Sequence, residues 1–235
     1  MTTATDRGHQ DADRDVTPDA TPDATQGLSL AEQAYRALRD RLIMLDIAPG
    51  EPLHEGQLVT ELGYGRTPLR EAMKRLETDH LVVSYPRRGT FATRVDITEL
   101  ATVSEVRQLL EPLAARKAAG NVDPDTRAAL LQAREGIDRL SQDSPWRDVM
   151  ALDLAVHRLI YRTAGNHHLE ESLIRLDNLA TRIWCVVVDR LPDVAGHIRE
   201  HLGLLDAILD GDQDRAESIA AEHVRHFDAA VRGAI

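Results

Sequence analysis

The segment RTPLREAMKRLET, residues 66–78, places the tightest constraint on how this 235-residue chain can fold. Its apolar residues recur at helical steps and are Leu69, Met73 and Leu76. Its basic residues recur at steps of four and are Arg66, Arg70 and Lys74. This spacing predicts an amphipathic helix with one buried face and one positively charged face. Thr67 followed by Pro68 is typical of an N-cap and first helical residue, which predicts that the helix begins at Pro68.

The neighbouring segments indicate a winged helix-turn-helix. An apolar stripe from Leu30 to Ile43 predicts a helix that ends near Asp46, and a shorter helix is predicted over residues 55–62. After the basic helix, two β-type runs at residues 81–85 and 90–93 flank the turn Pro86-Arg87-Arg88-Gly89. The order helix, helix, turn, helix, hairpin is that of the winged helix-turn-helix, in which the third helix enters the DNA major groove.

The basic side chains suit recognition of DNA. Arg66 and Arg70 share one helix face, and arginine forms two parallel hydrogen bonds to guanine. Lys74 and the hairpin pair Arg87 and Arg88 suit phosphate contacts. The alternative is an ordinary solvated face on a surface helix, but the hairpin at the right distance favours DNA.

Charge is distributed unevenly along the chain. The formal net charge is −11, which taken alone argues against a nonspecific binder of polyanions. Residues 1–28 carry −4, residues 29–95 carry +1, and residues 96–235 carry −8. We therefore predict a disordered acidic tail over residues 1–28, a DNA-binding domain over residues 29–95 and an acidic domain over residues 96–235.

The second half is predicted to be an antiparallel all-helical bundle, so the fold class is mainly α. Six helical segments follow residue 95, joined by loops of two to six residues. An aromatic content of 3% disfavours a β-sandwich or barrel. The single cysteine, Cys185, excludes an intrachain disulfide. With no apolar run of membrane-spanning length and a polar first segment, we expect a cytoplasmic protein without membrane contact.

Histidines in the second half fall into pairs with metal-ligand spacing. Three pairs share a helix face, namely Asp153 with His157, His197 with His201, and His223 with His226. Asp and imidazole ligands suit Zn²⁺, Ni²⁺ or Mn²⁺. Each pair is individually more typical of packed or half-exposed side chains, and spacing alone chooses neither between His197 and His201 nor between His223 and His226.

The chain resembles GntR-family transcriptional regulators of the FadR-like branch that carry an FCD-type ligand-binding domain. The resemblance covers about residues 29–232. It rests on the segments RTPLREAMKRLE, PRRGTFA, LDLAVHRLIYRTAGNHHL and HIREHLGLLDAILDGDQDRAESIAAEHV. It implies DNA contacts by Arg66, Thr67, Arg70 and the wing around Arg88 and Gly89. Gly65 and Gly56 replace side chains common in the family, which affects the operator sequence.

The same resemblance implies a ligand set for a divalent metal. The ligands would be Asp153, His157, His201 and His223, with His197 and His226 as bystanders. Such domains commonly bind a small organic acid beside the metal. Arg107 is a candidate anchor for its carboxylate, unless it only pairs with Glu111, four residues on. Asn166 is a second candidate for effector binding, unless it is a helix cap.

We therefore predict a homodimeric repressor that binds a palindromic operator and is released by a small carboxylate. The chain is not expected to be an enzyme, because no general base or nucleophile stands out beside the proposed ligands. Glu200 adjoins His201 in sequence, but neighbouring helix residues point about 100° apart. The alternatives are a metal-dependent hydrolase or lyase that uses the Asp/His cluster, and a sensor of the metal ion itself.

Overall fold

Nine α-helices and one small sheet form the described part of the chain, residues 27–191 and 193–235, in this computed structural model. The helices are α1 (Leu30–Ile43), α2 (Glu55–Leu62), α3 (Arg66–Thr78), α4 (Leu100–Ala119), α5 (Pro124–Asp138), α6 (Trp146–Thr163), α7 (His167–Val187), α8 (Val194–Leu209) and α9 (Gln213–Ala234). The strands are β1 (Pro52–Leu53), β2 (Val82–Tyr85) and β3 (Gly89–Ala92). Two 3₁₀ turns precede α4 and follow α7. The mainly helical fold class is confirmed, while residues 1–26 of the predicted tail lie outside the described residues.

Side-chain caps fix where most helices begin, because the first turn of a helix leaves backbone N–H groups without partners. The capping side chains that accept these N–H groups are Ser29, Asp123, Asn166, Asp193 and Asp212. For α3 the predicted cap was wrong. Gly65 occupies the N-cap position, and its carbonyl accepts the first helical hydrogen bond from Leu69 N. Thr67 is therefore already helical, and Pro68 sits at the third position, where its missing N–H costs nothing.

The predicted hairpin is part of a three-stranded sheet. β2 and β3 pair antiparallel with Tyr85 opposite Gly89. The two-residue strand β1 adds to the other edge of β3, and Leu53 pairs with Thr90. β1 was not predicted from the sequence, because a strand of two residues shows no alternation of apolar and polar side chains. The sheet packs the wing against the helices through buried Leu53, Val82 and Ala92.

The winged half and the helical bundle share one hydrophobic core. Leu38 and Leu42 of α1 belong to the same buried cluster as Ala180 and Ile183 of α7. Polar contacts reinforce this junction, namely Arg182 with Thr93, Arg158 with Asp40, and Arg147 with Asp46. A second apolar cluster lies inside the bundle, between α4, α5, α6, α8 and α9. Among the described helices, none combines the length and apolar character needed to cross a bilayer.

Candidate functional sites

The exposed face of α3 carries every predicted DNA-contacting residue of that helix. These residues, the basic face, are Arg66, Thr67, Arg70 and Lys74. They are exposed because Leu69 and Leu76 on the opposite side are fully buried against the winged core. Arg75, next to Lys74, is half exposed and points towards α1, where it pairs with Glu32 and lies over the Tyr35 ring.

One member of the basic face is already held by a partner. Arg70 Nε donates to Glu55 Oε2 of α2 at 2.9 Å, although the side chain of Arg70 remains 66% exposed. An exposed pair of this kind contributes less than about 1 kcal/mol, so a stronger partner displaces it easily. Glu55 thus orients Arg70 without blocking it.

The wing projects a second basic feature from the same half of the molecule. Arg87 and Arg88 form the tip of the hairpin, and both are exposed. Arg87 has φ +64° and Gly89 has φ +95°, so the turn needs glycine at its end. Arg88 N donates to the Tyr85 carbonyl at 3.1 Å and closes the turn. The tip therefore offers two guanidinium groups on a defined backbone.

Three buried histidines from three helices meet inside the bundle. His157 of α6, His201 of α8 and His223 of α9 each place one ring nitrogen within 4.8 Å of the others. His157 Nε2 lies 3.2 Å from His201 Nε2. Asp153, one turn before His157, has its carboxylate 3.9 Å from His157 Nε2 and 3.7 Å from His201 Nδ1. The structure thus brings the four predicted metal-ligating residues together, and we call them the inner cluster.

Oxygen partners on the far side of each ring aim the imidazoles into the inner cluster. His201 Nδ1 lies 3.0 Å from the Ile198 carbonyl, and His223 Nδ1 lies 3.1 Å from Glu200 Oε2. Because a carbonyl and a carboxylate only accept, each Nδ1 carries the proton and each Nε2 presents a lone pair. His157 Nδ1 lies 3.0 Å from the Tyr161 hydroxyl. Such outer partners are typical of metal-binding histidines.

The inner cluster has unused ligand capacity. His223 Nε2 and Asp153 Oδ1 are buried and have no hydrogen-bond partner within residues 27–191 and 193–235. Burial lowers the pKa of His201 to about 4 and holds the pKa of His157 and of His223 well below the usual range. The imidazoles are therefore neutral, as ligation requires. Burial, together with Asp177, raises the pKa of Asp153, so a cation beside it would be stabilising. The donor set fits a divalent metal.

A buried ion-pair group lies on the α4 side of the bundle. Arg107 Nε donates to Glu111 Oε1 at 2.5 Å, and Arg107 Nη2 lies 3.7 Å from Asp177 Oδ1. The salt bridge between Arg107 and Glu111, which was the alternative interpretation of Arg107, is thus present. Arg107 Nη1, however, has no hydrogen-bond partner among the described residues. Burial raises the pKa of Asp177 to about 6. Ser104 Oγ and the Asn178 amide, which sequence analysis missed, are also buried and lack partners in the described part of the chain.

Asn166 and Glu200 have contacts that differ from the roles predicted for them from the sequence. Asn166 is exposed and caps α7 by accepting from Leu169 N at 3.3 Å, which was its alternative interpretation. Glu200, set aside because it adjoins His201, contacts His223 on the neighbouring helix. Its spacing of three from His197 on α8 signals only the contact between those two side chains, at 3.9 Å, and not the contact with His223.

Comparisons with known proteins place both halves in described families. The gntR family of bacterial regulatory proteins matches residues 30–92, and the FCD domain matches residues 102–226. The HTH-type transcriptional repressor RspR of Escherichia coli K12 is 27% identical over 205 residues, covering 86% of this chain and 88% of RspR. The Nta operon transcriptional regulator of Aminobacter aminovorans is 28% identical over 192 residues, covering 80% of this chain and 89% of that regulator.

Solved structures share the fold. E. coli McbR/YncC superposes with a TM-score of 0.76 at 22% identity, covering 88% of this chain and 98% of that one. A GntR regulator from Rhodococcus sp. RHA1 superposes with a TM-score of 0.67 at 20% identity, covering 87% of this chain and 98% of that one. The matched domains and relatives are regulators of transcription and not enzymes. The chain belongs to the GntR family of transcriptional regulators and carries an FCD domain.

Proposed function

We propose that this regulator binds operator DNA as a homodimer through the basic face of α3 and the wing. We further propose that the protein is a repressor, which is released from the operator when a small carboxylate binds beside a divalent metal in the bundle. The observation that carries the sensing half is the inner cluster, in which three buried neutral imidazoles point ring nitrogens at one another and His223 Nε2 has no hydrogen-bond partner among the described residues. A ligand controls DNA affinity only if it binds the two conformational states with different affinity.

We assign contacts with base edges to Arg66 and Arg70, and contacts with the DNA backbone to Thr67 and Lys74. Arg87, Arg88 and Gly89 of the wing would meet flanking phosphates. Exposure of these side chains and the burial of the opposite helix face support this assignment. An arginine in bidentate contact with guanine contributes about 1–3 kcal/mol of discrimination.

The DNA assignment is tested with an operator selected from genomic fragments by the purified protein. We expect Arg66→Ala and Arg70→Ala each to weaken specific binding by about 1–3 kcal/mol in fluorescence anisotropy, and Lys74→Ala to reduce the salt slope by about one. Arg36→Ala, which removes an exposed arginine from α1, is the matched control. Unchanged operator affinity for both Arg66→Ala and Arg70→Ala would contradict the assignment.

Asp153, His157, His201 and His223 would hold the metal, with identity among Zn²⁺, Ni²⁺ and Mn²⁺. When bound, the ion would supply a positive centre that attracts a carboxylate oxygen as a further ligand beside these four residues. Arg107 Nη1, buried and unpaired among the described residues, suits the other carboxylate oxygen. Asn166 is left as the α7 cap.

The sensing site is tested by elemental analysis and by a thermal-shift panel of small carboxylates. We expect about one divalent ion per chain, and a lower content in His201→Ala and His223→Ala but not in the exposed control His168→Ala. Absence of metal after reconstitution would remove the site. If the ion alone changes operator affinity and no carboxylate does, the metal is the effector.

The dimer is assigned to an exposed apolar stripe on α4. Val106, Leu109 and Leu113 are 40%, 71% and 44% exposed at steps of three and four. A second copy of this chain suits the stripe, since a two-fold dimer matches a palindromic operator. We expect Leu109→Glu to shift the mass measured by light scattering towards the monomer. Leu131→Glu, at another exposed leucine, should not shift that mass, and equal masses for all three proteins would contradict the interface.

A further inference from the structure

Glu71 is an acidic residue on the same side of α3 as the predicted DNA-contacting residues. Consecutive residues of a helix lie about 100° apart, so Glu71 lies about 40° from Thr67 and about 60° from Lys74 around the helix axis. It lies about 160° from Leu69, which is fully buried on the opposite side. Glu71 is exposed, as are Thr67 and Lys74. A helix that presents Lys74 to DNA therefore presents Glu71 to it as well.

The carboxylate of Glu71 has no partner in the described part of the chain, which sets it apart from its neighbours. Six glutamates lie between residues 30 and 92. The other five each have a hydrogen bond or an ion pair, and these contacts are Glu32 with Arg36 and Arg75, Glu51 with Ala48 N, Glu55 with Arg70, Glu61 with Arg41, and Glu77 with Ser84 N. The carboxylate of Glu71 is therefore available to accept a hydrogen bond from a ligand.

The chemistry of DNA restricts what such a carboxylate can contact. Phosphate oxygens carry negative charge, so they repel Glu71. The hydrogen-bond donors in the major groove are the amino groups cytosine N4 and adenine N6. Adenine also presents the acceptor N7 beside its amino group, and this pair matches the amide of glutamine or asparagine rather than a carboxylate. Cytosine is therefore the base whose edge suits Glu71.

From this position and this chemistry we propose that Glu71 selects a cytosine in each half-site of the operator by accepting a hydrogen bond from its N4 amino group. This inference rests on the proposed function, in which the basic face of α3 enters the major groove. Arg66 and Arg70 favour guanine through attraction, whereas Glu71 also acts against other sequences. Where no amino group meets it, the charge of Glu71 stays unpaired beside the phosphates and weakens binding.

The test is selection of operators from a randomised DNA library by the full-length protein, followed by fluorescence anisotropy. The wild type should select a cytosine that Glu71→Gln replaces by adenine, because glutamine pairs with N6 and N7 of adenine. Glu71→Ala should bind the selected operator more weakly and random-sequence DNA more tightly. The ratio of these two affinities should fall at least about fivefold.

Glu77→Gln is the matched control, because it removes the same charge from the same helix. The carboxylate of Glu77 already accepts from Ser84 N, and the amide oxygen of glutamine can accept the same bond. Its base preference should therefore equal that of the wild type. The proposal is overturned if Glu71→Gln and Glu71→Ala select the same sequence as the wild type, or if Glu77→Gln changes the preference in the same way. A wrong α3 interface gives a different result, because Arg66→Ala and Arg70→Ala would then also leave operator affinity unchanged.

Discussion

Removing the positive charge of Arg107 should destabilise the bundle strongly. Its side chain is 2% exposed, and the single guanidinium faces two buried carboxylates, Glu111 and Asp177. Breaking a buried pair from one side leaves an uncompensated charge, which costs about 3–5 kcal/mol. Because one cation serves two carboxylates, we expect Arg107→Met to fall in the upper part of that range.

Urea unfolding followed by tryptophan fluorescence measures this cost. Both tryptophans, Trp146 and Trp184, lie in the helical bundle, so the signal reports that half of the chain. With a slope of about 3 kcal/mol/M, Arg107→Met should lower the urea midpoint by roughly 1–2 M at pH 8. The loss should be smaller at pH 5, because burial raises the pKa of Asp177 to about 6 and this carboxylate is then mostly protonated.

Two further variants decide whether charge is the cause. Arg107→Met combined with Glu111→Leu removes one of the two uncompensated carboxylates and should recover part of the lost stability, whereas Asp177 remains without its cation. Arg162→Met, at an exposed position on α6, should stay within about 0.5 kcal/mol of the wild type. A double variant as unstable as Arg107→Met, or a loss below about 1 kcal/mol for Arg107→Met, would refute the reasoning.

Three more predictions concern pH, backbone and the domain junction. Because the pKa of Asp177 is raised to about 6, its ionisation lowers the free energy of unfolding as the pH rises from about 4 to 6. Asp177→Asn should therefore raise the free energy of unfolding, measured by urea, by up to about 3 kcal/mol at pH 7.5 and by little at pH 4. Gly63 has φ +73°, so Gly63→Ala should lower the melting temperature by costing about 1 kcal/mol, whereas Gly56→Ala inside α2 should raise it. Arg182 donates to Thr93 Oγ1 and to the Thr93 carbonyl, so Arg182→Met should speed amide exchange around Thr93, and unchanged exchange would contradict this contact.

Local sequence patterns predicted the helices, because the residues of an amphipathic stripe and of its caps are close together in the sequence. The apolar stripe from Leu30 to Ile43 predicted a helix, and α1 spans these residues, although it ends three residues before the predicted end near Asp46. The start of α3 was predicted two residues too late. The Thr67-Pro68 pair is typical of a helix start, whereas the actual N-cap, Gly65, has no side chain that could signal it. The two-residue strand β1 exists only because β3 lies beside it.

The inner cluster shows where spacing stops being informative. Spacing paired Asp153 with His157 on one helix, but the meeting of His157, His201 and His223 depends on how α6, α8 and α9 pack. Resemblance to a family, rather than periodicity, selected His201 and His223. The contact of Glu200 with His223 crosses from α8 to α9, so no pattern within a single helix encodes it.

The shared core between α1 and α7 limits how new operator specificity can evolve. Because Leu38 packs in the same cluster as Ala180 and Ile183, replacing the winged half by that of a relative also replaces half of a packed interface. Such a graft would carry mismatched apolar surfaces unless α7 changed with it. Substitutions on the basic face of α3 meet no such requirement, since those side chains are exposed. Divergence of DNA sequence preference among relatives is therefore expected to proceed by point substitutions on α3 more readily than by exchange of whole domains.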